Sequence, residues 1–459
     1  MRKFFVLTCW IILAASHWLI AADVARPGFK VEQSSLGPIL PTAFWESFTI
    51  SPDSRHFAYI AVRGGQWLVA IDNQEGKRYD RVSNLEFGPD NKTVAYTARR
   101  DGNWLLVTGT SESSEFDSFV NGSLLFSPDG KHLACIAARN NKFFVLMDGK
   151  TGKGYDGIGA GSLVFSPDST KLAYGALQDG KQMLVIDGKE SPSQTSIDTP
   201  RFSPDSKHFA YAVERSGKWT VNYDGNDGKD YDGINNIVFS PDGRRLAFAA
   251  MRQQAWFVVV DGKEGPVHEG IGAKTPLFSP DSKRVGYVAK QGENYSAIVD
   301  GEKGADYASV LTGTLIFSPD SKHFAYAAGK PGKATVVFDT QASRNYDGIA
   351  AGTPIFSPDS TRVAYAAADN TKWRVVIGTE ERKLCEIVGK DSLVFSPDGK
   401  HAAWTELRNK KWFIMVDGQD VKEYDTTLRN SKLIFDSPTS FHTLAENDFE
   451  VFRVNVTIQ

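Results

Sequence analysis

One four-residue turn signature recurs along nearly the whole chain, and it leaves little choice of fold. Phe126-Ser127-Pro128-Asp129 returns as Phe-Ser-Pro-Asp at Phe165, Phe202, Phe239, Phe278, Phe317, Phe356 and Phe395. Ile50-Ser51-Pro52-Asp53 and Phe87-Gly88-Pro89-Asp90 are variants, and Phe435-Asp436-Ser437-Pro438 is a decayed eleventh copy. From Asp53 to Asp398 the turn aspartates follow one another at steps of 37 or 39 residues, so no inserted domain interrupts the array. A fixed period of this size signals stacked supersecondary units, each unable to bury its own apolar faces.

Each copy reads as four short strands. Ser162-Leu163-Val164-Phe165 forms the first, and Ser166-Pro167-Asp168-Ser169 turns it, with proline presetting the backbone. Lys171-Leu172-Ala173-Tyr174 begins the second, and Asp179-Gly180 or Ser216-Gly217 supplies a tight hairpin. Trp256 to Asp261 exemplifies the third strand, and the fourth is expected to end near Tyr-Asp-Gly-Ile, as at Tyr155 to Ile158. No sustained helical period follows residue 22. The reading is therefore an all-β chain, a β-propeller of about eleven four-stranded blades.

The Phe-Ser-Pro-Asp-(Gly/Ser)-Lys signature resembles the WD-like, TolB-type propeller repeats of bacterial envelope proteins, over about residues 45 to 445. That resemblance implies a propeller and an exported, bacterial setting, but no single function. The chain departs from TolB in lacking room, in residues 23 to 44, for a separate α/β domain ahead of the blades. Eleven copies exceed the roughly four to eight blades usual in one ring. Two readings follow, two rings in tandem or one wide ring. Ser191 to Pro200 matches the repeat least well and is the candidate junction for two rings. The last copy lacks a fourth strand, and Phe29 to Ser35 is the candidate to supply it and close a ring.

Met1-Arg2-Lys3, the apolar run Phe4 to Ile20 and the small pair Ala21-Ala22 have the order of a cleaved secretory signal over residues 1–22. Residues 23–44 then form an N-terminal segment and 45–459 the repeat array. The expected location is periplasmic or secreted, with no membrane span in the mature chain. A net charge of −3 argues against a nucleic-acid partner, which favours a basic excess.

Candidate chemistry is sparse. His56, His132, His208, His323, His401 and His442 share one repeat position that other copies fill with Thr93, Lys171, Arg245, Arg284 or Arg362. Residues interchangeable with Lys and Arg suggest a solvated strand entrance rather than a metal shell, and neither a metal nor a cofactor is expected. The turn aspartates are explained by capping their own turns. Cys135 and Cys385 lie in separate copies and read as small hydrophobes. The innermost strands carry Arg201 and Lys432 as their main charged residues, with no carboxylate pair of the kind glycosidases use.

A band of aromatics beside bases is the best functional signal. Trp67, Trp104, Trp219, Trp256, Trp373 and Trp412, joined by Phe143 and Tyr295, occupy one position on the third strand. The hairpins just before carry Arg63, Arg100, Arg139, Lys218, Arg252 and Lys411. Such a face suits an anionic protein or glycan surface. The competing reading wedges the tryptophans between blades and sets each opposite the acid of a Tyr-Asp pair, such as Asp80, Asp156 or Asp232. The functional expectation is a non-catalytic exported scaffold, not an enzyme, that binds a protein or glycan. A propeller hydrolase or lyase and a TolB-like envelope assembly factor are the alternatives.

Overall fold

A computed structural model describes residues 28–459, with 331, 429 and 430 excepted. Residues 1–22, where a secretory signal is expected, lie outside the described residues. The chain forms eleven four-stranded antiparallel blades in a single ring. No helix among the described residues is long and apolar enough to cross a membrane.

Blade 4 shows the plan. Its second strand, Leu172–Gln178, pairs on one side with the innermost strand and on the other with Lys181–Ile186, which then pairs with the outermost Lys189–Glu190. Asp179 and Gly180 hold the hairpin with φ of 50° and 73°, the left-handed pair that a two-residue turn between right-twisted strands requires. Second strands lie mid-sheet with a blade packed on each face, so they read as apolar runs rather than alternating ones. Ala58, Ala61, Ala95, Ala98, Ala134 and Ala137 are fully buried there, and their small size lets neighbouring sheets approach.

The outermost strand ends at the tyrosine of Tyr-Asp-Gly-Ile, as expected, but the innermost strand begins earlier than expected. Tyr155 closes the outermost strand Lys150–Tyr155 of blade 3, and Gly157–Ile158 opens the innermost strand of blade 4. The innermost strand is also not continuous, being Gly157–Ile158 and Val164–Phe165 with a tight turn between. Ser162 holds that turn. Its Oγ donates to the Gly159 carbonyl at 2.7 Å and accepts the Gly175 N–H at 3.1 Å, satisfying a second-strand donor that the break leaves unpaired. Ser123, Thr275 and Ser392 do the same in their blades.

This turn accounts for the two repeat lengths. The 37-residue repeats lack it. Blades 2 and 6 have single innermost strands, Arg81–Phe87 and Gly233–Phe239, and blade 5 is shortened between Ile197 and Arg201. The inner wall is therefore uneven, with turns standing out from most blades and blades 2, 5 and 6 lacking them.

There is no axial core. Eleven apolar clusters each join residues of two successive blades, one cluster per seam. Near the channel, the turn N–H of Asp168 donates to Ser206 Oγ of the next blade at 2.9 Å, and Asp129, Asp242, Asp281 and Asp320 make the same link. That link crosses from blade 4 to blade 5, so Ser191 to Pro200 is no junction and the two-ring reading is set aside. Phe29–Pro38 pairs antiparallel with Glu450–Ile458 as the outermost strand of blade 11, and a cluster containing Ile39, Phe57, Leu444 and Val451 seals blade 11 against blade 1.

Candidate functional site

The shared histidine position is a clasp rather than a solvated entrance. Nδ1 of His56, His132, His208, His323 and His401 lies 2.6–2.8 Å from Asp72, Asp148, Asp224, Asp339 and Asp417, the aspartates that end the third strands. The other carboxylate oxygen accepts the backbone N–H of the following residue, as Asp72 does from Phe57 at 3.1 Å. Arg245 and Arg284 meet the same aspartate position and also donate to carbonyls in the next blade, so any long donor serves. Cys135 and Cys385 are buried free thiols.

The aromatic band lies where the sequence places it, at the start of the third strands, and every member is half-buried. Its cross-strand register differs from expectation. Trp67 faces Tyr79, Trp219 faces Tyr231 and Trp412 faces Tyr424, because a bulge or crossover adjusts the outermost pairing. Trp104, Trp256 and Trp373 face Phe116, His268 and Cys385. The acid instead meets the base preceding the aromatic. Lys142 pairs with Asp156, Lys218 with Asp232 at 2.5 Å, and Lys411 with Asp425.

The remaining bases are engaged as well. Arg63 pairs with Glu75, Arg100 with Glu112 at 2.8 Å and Arg252 with Glu264 at 2.9 Å. The Arg139 guanidinium lies 5.0 Å from the Phe116 ring centre. The Arg252 hydrogen bond holds the Glu264 carboxyl down at about 2, and that of Lys142 lowers Asp156. The positive band is thus largely neutralised within its own sheets.

One member of the band belongs to a different kind of site. Trp67 lines a recess of about 500 Å³ between blades 1 and 2, together with Phe44, Glu46, Phe48, Asn84 and Glu86. Blade 2 lacks the inner turn, and blade 1 enters through a single 3-10 turn, Trp45–Ser47, so the seam stays open on its inner side. Phe44 stacks on Trp67 with ring centres 4.6 Å apart and planes 10° apart, and the Arg81 guanidinium sits 5.3 Å from the same indole. Trp45 stacks on Phe48 at 5.1 Å. Phe44 and Trp45 remain 41% and 47% exposed, unusual for rings of this size. The same absence of a turn leaves a smaller recess of about 360 Å³ between blades 4 and 5, lined mainly by glycine, alanine and serine at its inner turn.

Glu46 and Glu86 have no hydrogen-bond or ion-pair partner among the described residues. Glu86 is an exposed residue, and partial desolvation by the protein beside it raises its carboxyl above the ordinary value. Sequence reading passed over Glu86, although a signal existed. Its repeat position holds Leu125, Val164, Val238, Leu277, Ile316, Ile355 or Val394 in most other copies and Thr49 or Arg201 in two, so Glu86 is the one carboxylate in a mostly apolar series. Phe44, Trp45 and Glu46 precede the first clear repeat, where no pattern marks them.

No family model matches the chain, and no curated protein matches it. Solved structures similar to it include TolB from Acinetobacter baumannii, at 15% identity over 56% of this chain and 77% of that one, with a TM-score of 0.27. A putative TolB from Agrobacterium tumefaciens is 16% identical over 46% of this chain and 90% of that one, with a TM-score of 0.25. The Dos1 propeller is 13% identical over 64% of this chain and 90% of that one, with a TM-score of 0.33.

Proposed function

We propose that the chain is a non-catalytic binding platform, exported to the periplasm or the cell exterior, that docks a protein partner at the recess between blades 1 and 2. The exposed, stacked Phe44 and Trp45 carry this reading. Rigid aromatic rings give large contact area at small entropy cost, which is why they dominate binding hot spots. The bases that made the same face look anion-binding are occupied by carboxylates of their own blades, so the recess rather than the band is the docking point. Export rests on the order of residues 1–22.

The experiment is co-purification of the tagged mature chain from envelope and secreted fractions, beside a Phe44→Ala/Trp45→Ala variant of equal thermal stability. A specific partner retained by the wild type and lost from the variant is the expected result. Identical partner sets would remove the reading.

A glycan hydrolase is the second reading, and Glu46 with Glu86 favours it. Two carboxylates share one recess, and a raised carboxyl is what a general acid needs. Release of reducing ends from a glycan panel, lost in Glu86→Gln, is its test.

A further inference from the structure

We infer that the occupant of the recess between blades 1 and 2 is an arginine side chain of the docked partner, its guanidinium laid on the Phe44–Trp67 stack and paired with Glu46 and Glu86. This rests on the platform reading and goes on to name what the platform grips.

The molecule builds the same combination, complete with its cation, elsewhere. The Arg344 guanidinium lies 4.0 Å from the Tyr346 ring centre while pairing with Glu381 and, at 2.8 Å, with Asp369. Arg408 lies 4.0 Å from Phe413, 3.0 Å from Glu406 and 2.6 Å from Asp420. Arg252 sits 5.2 Å from Tyr231 and pairs with Glu264 at 2.9 Å. Each places a guanidinium between an aromatic face and carboxylates. The recess supplies the exposed Phe44 ring and two carboxylates, and the one guanidinium beside it, Arg81, lies on Trp67 and pairs with neither carboxylate. Trp67 already accepts the Arg81 guanidinium at 5.3 Å, so the indole tolerates that geometry.

The chemistry selects arginine over lysine and over a sugar. A guanidinium is planar, stacks on an aromatic face and offers forked donors to carboxylates. Its weak hydration lowers the cost of entering a partly desolvated recess. A neutral sugar would leave both carboxylates without a counter-charge.

The test is calorimetric titration of the mature chain with a Gly-Arg-Gly-Arg-Gly peptide, with its citrulline and lysine counterparts, and with a neutral oligosaccharide. Arginine binding at least tenfold tighter than citrulline is expected, falling at least tenfold in Glu86→Gln, in Glu46→Gln and in Phe44→Ala. Glu293→Gln, on an exposed hairpin of blade 7, controls for general acidity and should bind unchanged. Lysine binding should be weaker than arginine. Equal affinity for citrulline, an unaffected Glu46→Gln/Glu86→Gln double variant, or preference for the oligosaccharide would overturn the inference. If the peptide fails to bind while Phe44→Ala/Trp45→Ala still loses the co-purified partner, the arginine assignment falls and the platform stands.

Discussion

His442 of the last blade donates from Nε2 to the backbone carbonyl of Asp53 in the first, at 2.6 Å, across 389 positions of sequence. Its Nδ1 meets Asp436 Oδ2 at 2.7 Å, and the ring is 1% exposed. The sequence sets His442 with the clasp histidines, but strand register puts it inside the second strand, at the position of Ala134 rather than His132, and there it fastens the ring shut. Arg55 adds a second tie to Asp436 at 2.9 Å.

Replacing His442 by Ala should therefore cost roughly 1–3 kcal/mol for each buried group left without a partner. His132→Ala, whose imidazole and partner Asp148 are about two-fifths exposed, should cost less than about 1 kcal/mol. Urea unfolding of the two variants checks the contrast. Equal losses would show that the closing histidine has no special role.

Deleting residues 28–38 removes the outermost strand of blade 11. Phe29 and Val31 are buried in the cluster that also holds Val421, Phe441 and Val456. Each contributes about 1.5–3 kcal/mol by burial, and the exposed edge of Glu450–Ile458 would invite pairing between copies. A lowered melting temperature with concentration-dependent association is expected from calorimetry and light scattering. An unchanged melting temperature would contradict closure by this strand.

Trp404 is fully buried in the seam between blades 9 and 10, and its Nε1 donates to Glu406 at 2.8 Å. Trp404→Ala should destabilise by about 3–5 kcal/mol, because the neighbouring sheets cannot close over so large a void. Trp404→Phe should recover most of the packing and still leave Glu406 without that donor. Chemical unfolding distinguishes the two.

Four seams share an acid-sensitive clasp at the outer rim, that of Tyr155 on Glu190 among them, and the other three hold carboxyls lowered furthest. Tyr79, Tyr231 and Tyr346 donate to Glu112, Glu264 and Glu381 of the following blade. Hydrogen bonds from Lys77 and Arg100, from Arg252, and from Arg344 hold these carboxyls down at about 2, against an ordinary 4.5. A lowered carboxyl stabilises the fold fully above its ordinary value and loses that contribution as pH falls toward 2. Wild type should weaken through that window. A Glu112→Gln/Glu264→Gln/Glu381→Gln variant should begin weaker at neutral pH and decline less steeply. Parallel curves for the two proteins would refute the clasp.

The blade was legible before any coordinates, because its determinants are local. The Pro-Asp turn, the Asp-Gly hairpins and the apolar second strands act within about forty residues, and each occurs many times. Trp67 was legible as a candidate for the same reason. Phe44, Trp45 and Glu46 were not, since they precede the first clear copy, and Glu86 stands out only when the copies are set against one another. Two features belong to the tertiary structure alone. Whether eleven copies close once or twice depends on the small rotation between successive sheets, which accumulates around the ring and appears in no single repeat. The open recess depends on two residues missing from blade 2, an omission that matters only because the neighbouring blade's aromatics flank the gap. Sequence dictates the sheet because its contacts are near in the chain. The closing of the ring and the gap at its first seam are set by contacts between blades, and at the closing seam these join residues nearly four hundred positions apart.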